Sequence, residues 1–93
     1  MNDETMLAML KVDLGIIATA YDTRLGQVLN VAKAEIAKEG AALNTASSVS
    51  DANLCIMYAA WMWRKRDTME AMPRMLRWQL NNRIFAEKMR ADA

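Results

Sequence analysis

Apolar residues recur along the chain at intervals of three and four, and runs of β-branched or aromatic residues that alternate every second position are absent. The first spacing places side chains on one face of an α-helix, whereas a half-buried strand needs the second. The pattern therefore predicts an all-α fold. We expect a small bundle of about four helices, forming a single domain over residues 1–93.

The first predicted helix covers about residues 4–14. Asn2 or Asp3 precedes it and can cap its amino-terminal end, because both side chains accept hydrogen bonds from free backbone amides. Gly15 follows the last apolar residue and supplies a natural stop. One face of this helix carries an apolar row made of Leu7, Leu10 and Leu14.

The second predicted helix is amphipathic and covers about residues 22–39. We expect Asp22 or Thr23 to cap it and Gly40 to end it. Gly26, inside the helix, costs about 1 kcal/mol relative to alanine and could permit a close helix approach. The apolar face consists of Leu25, Val28, Leu29, Ala32 and Ile36, and the opposite face carries Gln27, Asn30, Lys33, Ala34 and Lys38.

Small uncharged residues fill positions 40–50, with no proline and with only Leu43 and Val49 as apolar anchors. This composition predicts a long, flexible loop between the second and third helices. Loops of such length are uncommon in small domains unless they are functional or disordered. The loop is therefore a candidate contact element that becomes ordered on assembly, and a plain surface linker is the alternative.

The third predicted helix starts after Ser48 or Ser50 and runs to Arg66 or Asp67. Ser48 and Asp51 have the spacing of a capping box in which aspartate replaces glutamate. The helix is apolar nearly all round, so either three other helices surround it or one side is left for a partner. One side carries Leu54, Met57, Tyr58, Trp61 and Met62, and the other carries Ile56, Ala59, Ala60 and Trp63.

The fourth predicted helix starts near Pro73, which suits a first helical turn, and runs to about Arg90. It also has two apolar sides, because Leu76, Leu80 and Ile84 form one row and Met75, Trp78, Phe85 and Met89 another. A domain of this size has too little mass to cover both sides of two helices. Exposed aromatic surface of this kind usually marks an interface. The alternative is that all of these residues are core.

Hydrophobic residues make up 54% of the chain. The longest uncharged stretch, residues 52–63, is nevertheless shorter than the roughly 20 residues that a membrane-spanning helix needs. The first residues include Asp3 and Glu4 and no basic cluster, which is unlike a secretory or transit peptide. We therefore expect a soluble protein that is synthesised in the cytoplasm.

The net charge of +1 is unevenly distributed. Residues 1–51 carry four basic and seven acidic side chains, a net charge of −3, whereas residues 52–93 carry eight basic and four acidic ones, a net charge of +4. Such asymmetry can serve binding to nucleic acid or to an acidic protein surface, although solvated helix faces also produce it.

The residues needed for catalysis are largely missing. Histidine is absent, which removes the usual general base and the commonest metal ligand. There is no glycine-rich dinucleotide motif, no phosphate-binding loop and no pair of nearby cysteines. The lone Cys55 is expected to be a buried, inert thiol, and Glu35 and Glu39 are expected to lie on a solvated face. We predict no enzymatic activity, no cofactor and no metal.

A nucleic-acid-binding module, such as a small terminase subunit involved in DNA packaging, is the alternative function. Arg64, Lys65 and Arg66 follow two tryptophans, and further basic residues lie on the fourth helix, where they could contact phosphates. The connection from Arg66 to Pro73 is longer than the turn of a helix-turn-helix, so specific DNA reading has weak support.

The sequence also resembles a known family. YAAWMWRKR (58–66) followed by MPRMLRWQLNNRIF (72–85) is similar to the carboxy-terminal half of the head-tail connector proteins of tailed bacteriophages, also called head-completion adaptors or putative DNA-packaging proteins. MLKVDLGI (9–16) and YDTRLGQVLNVAKAEI (21–36) resemble the opening helices of the same family. The likeness spans nearly the whole chain, and no single motif is diagnostic.

The resemblance implies a structural virion protein that acts at the head-tail interface. Copies of it would form a ring, expected to be a dodecamer, on the portal protein after DNA packaging. A stopper or tail-completion protein would bind the other side, and DNA would pass through the channel without sequence-specific binding. The implied portal-side residues are Arg74, Arg77, Trp78, Asn81, Asn82, Arg83, Phe85 and Lys88. The candidate subunit interface is Ile56, Ala59, Ala60 and Trp63 with Leu43, Asn44 and Val49 of the loop.

Overall fold

The computed structural model describes residues 1–92, with side chains as far as Arg90, and these residues form an all-α bundle. The four helices are α1 (Asp3–Leu14), α2 (Asp22–Glu39), α3 (Val49–Thr68) and α4 (Arg74–Asp92). No strand occurs in residues 1–92. The predicted fold class is therefore confirmed. None of the four helices combines the length and apolar character that crossing a bilayer would require.

The predicted signals at both ends of α1 are confirmed. The Asn2 side chain accepts a hydrogen bond from the Thr5 amide at 2.8 Å, which satisfies one of the free donors of the first turn. Gly15 has a φ of 70°, a conformation that glycine adopts without steric cost. The amide of Ile16 then donates to the Lys11 carbonyl at 2.9 Å and closes the helix.

Helix α2 has the predicted bounds but not the predicted cap. Tyr21 precedes its first residue, and no side chain caps it. The carboxylate of Asp22 instead lies 2.7 Å from the Lys11 ammonium and ties α2 to α1. The carboxyl end follows the prediction, because Gly40 takes a left-handed conformation there.

Helix α3 is the centre of the bundle and packs against each of the other three helices. This arrangement explains why its sequence is apolar nearly all round. Ile56, Ala59 and Ala60 are only 2%, 0% and 4% exposed. The prediction that this side of the helix is left for a partner is therefore wrong, because the chain covers it by its own folding.

Helix α4 packs on the bundle through one apolar row. Leu76 and Leu80 are buried, and Ile84 is half-buried against the same core. The Ile84 methyl lies 3.4 Å from the position that a β-carbon on Gly40 would occupy, so the end of α2 and the middle of α4 meet closely. The opposite row of α4 is exposed.

The long flexible loop predicted between the second and third helices is not seen. The connection is short, residues 40–48, because α3 begins at Val49. Leu43 and Thr45 are each only 7% exposed, and Ala41 is fully buried. Local composition misses these contacts, since the residues that bury the segment belong to other parts of the chain.

Candidate assembly surface

The outer face of α4 carries an unbroken row of large side chains. Met75, Trp78, Asn82, Phe85 and Met89 follow one another at intervals of three and four residues, which aligns them along one side of the helix. The row, called the α4 stripe below, extends over about 21 Å at 1.5 Å per residue. Trp78 and Phe85 are 62% and 63% exposed. The predicted aromatic surface on the fourth helix is therefore confirmed.

Basic and amide side chains border the α4 stripe. Arg74 and Lys88 are exposed near its two ends, and Asn81 is exposed near its middle. Arg77, half-buried, donates a hydrogen bond at 2.8 Å to the carboxylate of Glu39 on α2. The stripe thus combines aromatic and methionine side chains with a basic border that includes arginine, residue types that are enriched at protein interfaces.

Arg83 was assigned by resemblance to a partner surface, but its guanidinium lies inside the chain's own structure. It donates to Asp51 at 2.8 Å and 3.3 Å, to Glu87 at 2.9 Å and to the Ala42 carbonyl at 2.9 Å. Its side chain is only 15% exposed. Arg83 therefore positions α4 on the bundle and has little surface to offer a partner.

The charges in this cluster shift one another's pKa values. Burial tends to raise the pKa of Asp51, but hydrogen bonds from Arg83 and from the Asn44 amide, together with the Arg83 charge, lower it overall. The hydrogen bond to Asp51 and, as the second-largest cause, the hydrogen bond to Glu87 raise the pKa of Arg83. The carboxylate of Asp51 is therefore held ionised. Only one of the two hydrogen bonds of the predicted capping box is present: the Asp51 amide donates to the Ser48 hydroxyl at 3.2 Å. The Asp51 carboxylate binds Arg83 instead of completing the box.

The predicted subunit interface is not one surface. Leu43 lies in the core with Ile56, Ala59 and Ala60, so none of the four can contact a neighbour in this fold. Asn44 is exposed, although its amide is engaged by Asp51 at 2.9 Å. Val49 is 62% exposed at the start of α3. The loop part of the prediction is thus reduced to two accessible residues.

Trp63 is half-buried and has partners on both sides. The ring of Tyr21 packs edge-on against it at 5.9 Å between centroids, and the Arg66 guanidinium lies 3.8 Å from its centroid. Trp61 is covered similarly by the Lys65 ammonium at 4.2 Å. One face of each indole is therefore already occupied by a cation of the same chain.

A groove lies between α1 and α2 on a part of the surface to which α4 does not contribute. Its volume is about 370 Å³, and we call it the α1–α2 groove. Apolar side chains form its floor: Met6, Leu7, Leu29 and Cys55. Exposed polar and charged side chains line its rim: Asp3, Glu4, Thr23, Gln27, Asn30 and Lys33. The buried Thr45 also contributes to its lining.

Gly26 also lines the α1–α2 groove. No atom lies within 4 Å of the position that a β-carbon on this residue would occupy. The close helix approach that the glycine could have permitted is therefore absent within the chain. No other feature of the sequence predicts the groove, since residues from α1, α2, α3 and the α2–α3 connection come together to line it.

The lone thiol of Cys55 lies beneath this groove and is 1% exposed. Its Sγ atom donates a weak hydrogen bond to the Leu29 carbonyl at 3.5 Å. Burial raises the thiol pKa to about 11, which keeps it protonated at neutral pH. Among the described residues, no three histidine, cysteine, aspartate or glutamate side chains cluster closely enough to hold a metal ion.

Comparison with known proteins gives no relative. No protein-family model, no curated protein and no solved structure matches the chain.

Proposed function

We propose that this chain is a ring-forming head-tail connector, an adaptor subunit that docks on a bacteriophage portal after DNA packaging and joins head to tail around the DNA channel. The observation that carries the proposal is the α4 stripe, an exposed row about 21 Å long in which two large apolar side chains lie on each side of Asn82. The other exposed large apolar residues are spread over the remaining helices and connections. The sequence resemblance adds the phage context.

The size of the exposed side chains supports an assembly role. Tryptophan, as at Trp78, is among the residue types that contribute most to binding energy at protein interfaces, and phenylalanine, as at Phe85, is also enriched in interface cores. Leaving both in water costs solvation free energy, which is recovered if a partner covers them. A single exposed leucine would not by itself indicate a binding partner, because isolated apolar residues are common on protein surfaces.

The resemblance assigns the stripe and its border to the portal. After Arg83 is set aside, the accessible portal-side candidates are Arg74, Arg77, Trp78, Asn81, Asn82, Phe85 and Lys88. The remaining implied partners are further copies of the chain in a ring and a stopper or tail-completion protein. None of these contacts requires catalysis or a cofactor.

Native mass spectrometry of the purified chain, alone and with the portal protein of the same virus, tests the proposal. We expect closed rings at high protein concentration or on the portal. Phe85→Ser should abolish these complexes, and Val12→Ser, at an exposed apolar position on α1, should not. A chain that stays monomeric at every concentration and ignores the portal would refute the proposal.

A DNA-binding assay on the same purified chain distinguishes the connector from the alternative function, a nucleic-acid-binding module. Binding to duplex DNA that weakens steeply with salt, and that depends on Arg64 and Lys65 instead of Phe85, would favour that function. We expect no band shift at low salt. The cations that occupy one face of Trp61 and one face of Trp63 support this expectation, because a base could stack there only after displacing them.

A further inference from the structure

The α4 stripe and the α1–α2 groove are on different parts of one chain, and the groove is long enough to hold the central part of the stripe. The groove runs beside α2 from Thr23 to Lys33, about 15 Å of helix, and the central part of the stripe from Trp78 to Phe85 covers about 10 Å. No residue of α4 lines the groove. Helix α4 packs on its own bundle elsewhere, so it does not occupy the groove of the same chain.

The chemistry of the two surfaces is also complementary. The groove has an apolar floor, and its acidic side chains, Asp3 and Glu4, lie at one end. Because Lys11 at the end of α1 pairs with Asp22 at the start of α2, the two helices are antiparallel, and Lys33 lies at that same end. The two carboxylates outnumber this one ammonium, so the end keeps a net negative charge. The stripe has apolar side chains with basic neighbours, Arg74 and Lys88. Apolar surface thus faces apolar surface, and the acidic end of the groove can lie beside a basic end of the stripe.

The polar member of the stripe fits the groove wall. Asn82 lies between Trp78 and Phe85, where an amide buried against a purely apolar surface would lose its hydrogen bonds. The groove wall offers the amide side chains of Gln27 and Asn30, each of which can both donate and accept. One polar pair in an apolar seam fixes the register between two helices.

We propose that the α4 stripe of one copy lies in the α1–α2 groove of a second copy. This inference rests on the self-assembly in the proposed function, and it gives the stripe to a neighbouring subunit where the resemblance gives it to the portal. The contact joins two different surfaces, so a pair of copies keeps one free groove and one free stripe, and each can bind a further copy. Such head-to-tail contacts generate rings when the rotation closes.

Pairing of one stripe with another is less favourable. In an antiparallel pair, Arg74 of one copy lies near Lys88 of the other, and like charges meet. In a parallel pair, the bordering residues Gln79 and Ala86 offer no acidic partner to those cations. The acidic groove end supplies what a second stripe lacks.

Gly26→Leu tests the groove without weakening the fold. The β-carbon of the new leucine would have no atom of the chain within 4 Å, so it causes no clash. Leucine is also a far better helix former than glycine, and the melting temperature should therefore rise. The new side chain occupies the groove, and we expect the dissociation constant for self-association to increase at least about 10-fold, as for loss of an interface hot spot. Ala34→Leu, exposed on the same helix outside the groove, is the matched control and should change affinity less than about 2-fold.

A mixing experiment identifies the two halves of the contact. Phe85→Ser removes the stripe and leaves the groove, whereas Gly26→Leu blocks the groove and leaves the stripe. Sedimentation equilibrium should show each variant alone as a monomer, and their equimolar mixture as a dimer that grows no further.

The other outcomes overturn the inference in distinguishable ways. If Gly26→Leu assembles like the unaltered chain while Phe85→Ser does not, the ring proposal stands and the groove is not the counterpart. Portal binding that needs Phe85 without any self-association assigns the stripe to the portal. An unaltered chain that neither self-associates nor binds the portal removes the inference and the proposed function together.

Discussion

The guanidinium of Arg83 lies 2.8 Å from the carboxylate of Asp51, across 32 residues of sequence. The pair joins the middle of α4 to the first turn of α3. Arg83 also donates a hydrogen bond to the Ala42 carbonyl at 2.9 Å, which ties the α2–α3 connection to α4. One side chain thus holds three parts of the bundle, on the side of α4 that faces the other helices.

Arg83→Met should destabilise the fold. Removing one partner of a largely buried ion pair leaves the Asp51 carboxylate without its main counter-charge, which costs about 3 kcal/mol in the free energy of unfolding. Urea denaturation followed by circular dichroism measures this loss. Arg90→Met is the matched control, because the Arg90 side chain is 75% exposed and should contribute little. Equal stability of the two variants would contradict the role given to Arg83.

The stabilising effect of Asp51 should disappear in acid. The folded state lowers the pKa of this carboxyl below its ordinary value of 3.8, so the unfolded chain takes up the proton first as the pH falls. The stabilisation is complete above pH 3.8 and is lost as the pH drops through the lowered folded-state value. The difference in unfolding free energy between the unaltered chain and Asp51→Asn should therefore shrink below that pH. A constant difference from neutral to strongly acidic solution would show that Asp51 does not titrate as proposed.

The two apolar rows of α4 should respond differently to truncation. Leu80 is fully buried, and Leu80→Ala should cost about 2 to 5 kcal/mol because it removes buried methyl groups and leaves a cavity. Phe85 is 63% exposed, so Phe85→Ser should change monomer stability by no more than about 0.5 kcal/mol. Thermal unfolding at low protein concentration, where the chain is monomeric, measures the stability of both variants. Unfolding of Phe85→Ser would show that the outer row is part of the core.

Cys55 should resist alkylation in the folded chain. The reactive species is the thiolate, and burial both raises the thiol pKa to about 11 and blocks access to it. Labelling with a maleimide should therefore proceed at the rate at which the fold opens and should accelerate with urea. Complete labelling of the native chain within the mixing time would contradict this account.

Met69→Gly should stabilise the chain. Met69 ends α3 with a φ of 54°, a left-handed conformation that costs a non-glycine residue about 1 kcal/mol, and its side chain is 87% exposed. The substitution removes this cost with little loss of packing, so the midpoint of thermal unfolding should rise. Met69→Ala keeps a β-carbon and should bring no such gain. A lower midpoint for the glycine variant would mean that the side chain contributes more than its exposure indicates.

Helix positions follow from local signals, and the predictions are wrong where contacts with other parts of the chain decide the structure. Gly40 correctly ended α2 because glycine tolerates the left-handed conformation there. Asp22 failed as its cap because Lys11, from the preceding helix, attracts the carboxylate. The α2–α3 connection was mispredicted because its order comes from distant contacts, among them the Asp51 carboxylate that accepts the Asn44 amide.

The candidate surface was only half predictable. Periodicity alone placed Trp78 and Phe85 on the outer face of α4, because the buried row fixes the orientation of the helix. Periodicity could not decide that Ile56 is core, since a helix that is apolar all round looks the same whether its own chain or a partner covers it. The ion pair of Arg83 had no local signal at all.

The placement of Arg83 opposite the α4 stripe has a mechanical consequence. A helix transmits force along and across its axis with little deformation, so a pull on the outer tryptophan is felt at the guanidinium on the inner side. That load passes to the Ala42 carbonyl and to the beginning of α3. The charged hydrogen bonds of Arg83 would then share any load on α4 with the apolar packing of Leu76 and Leu80.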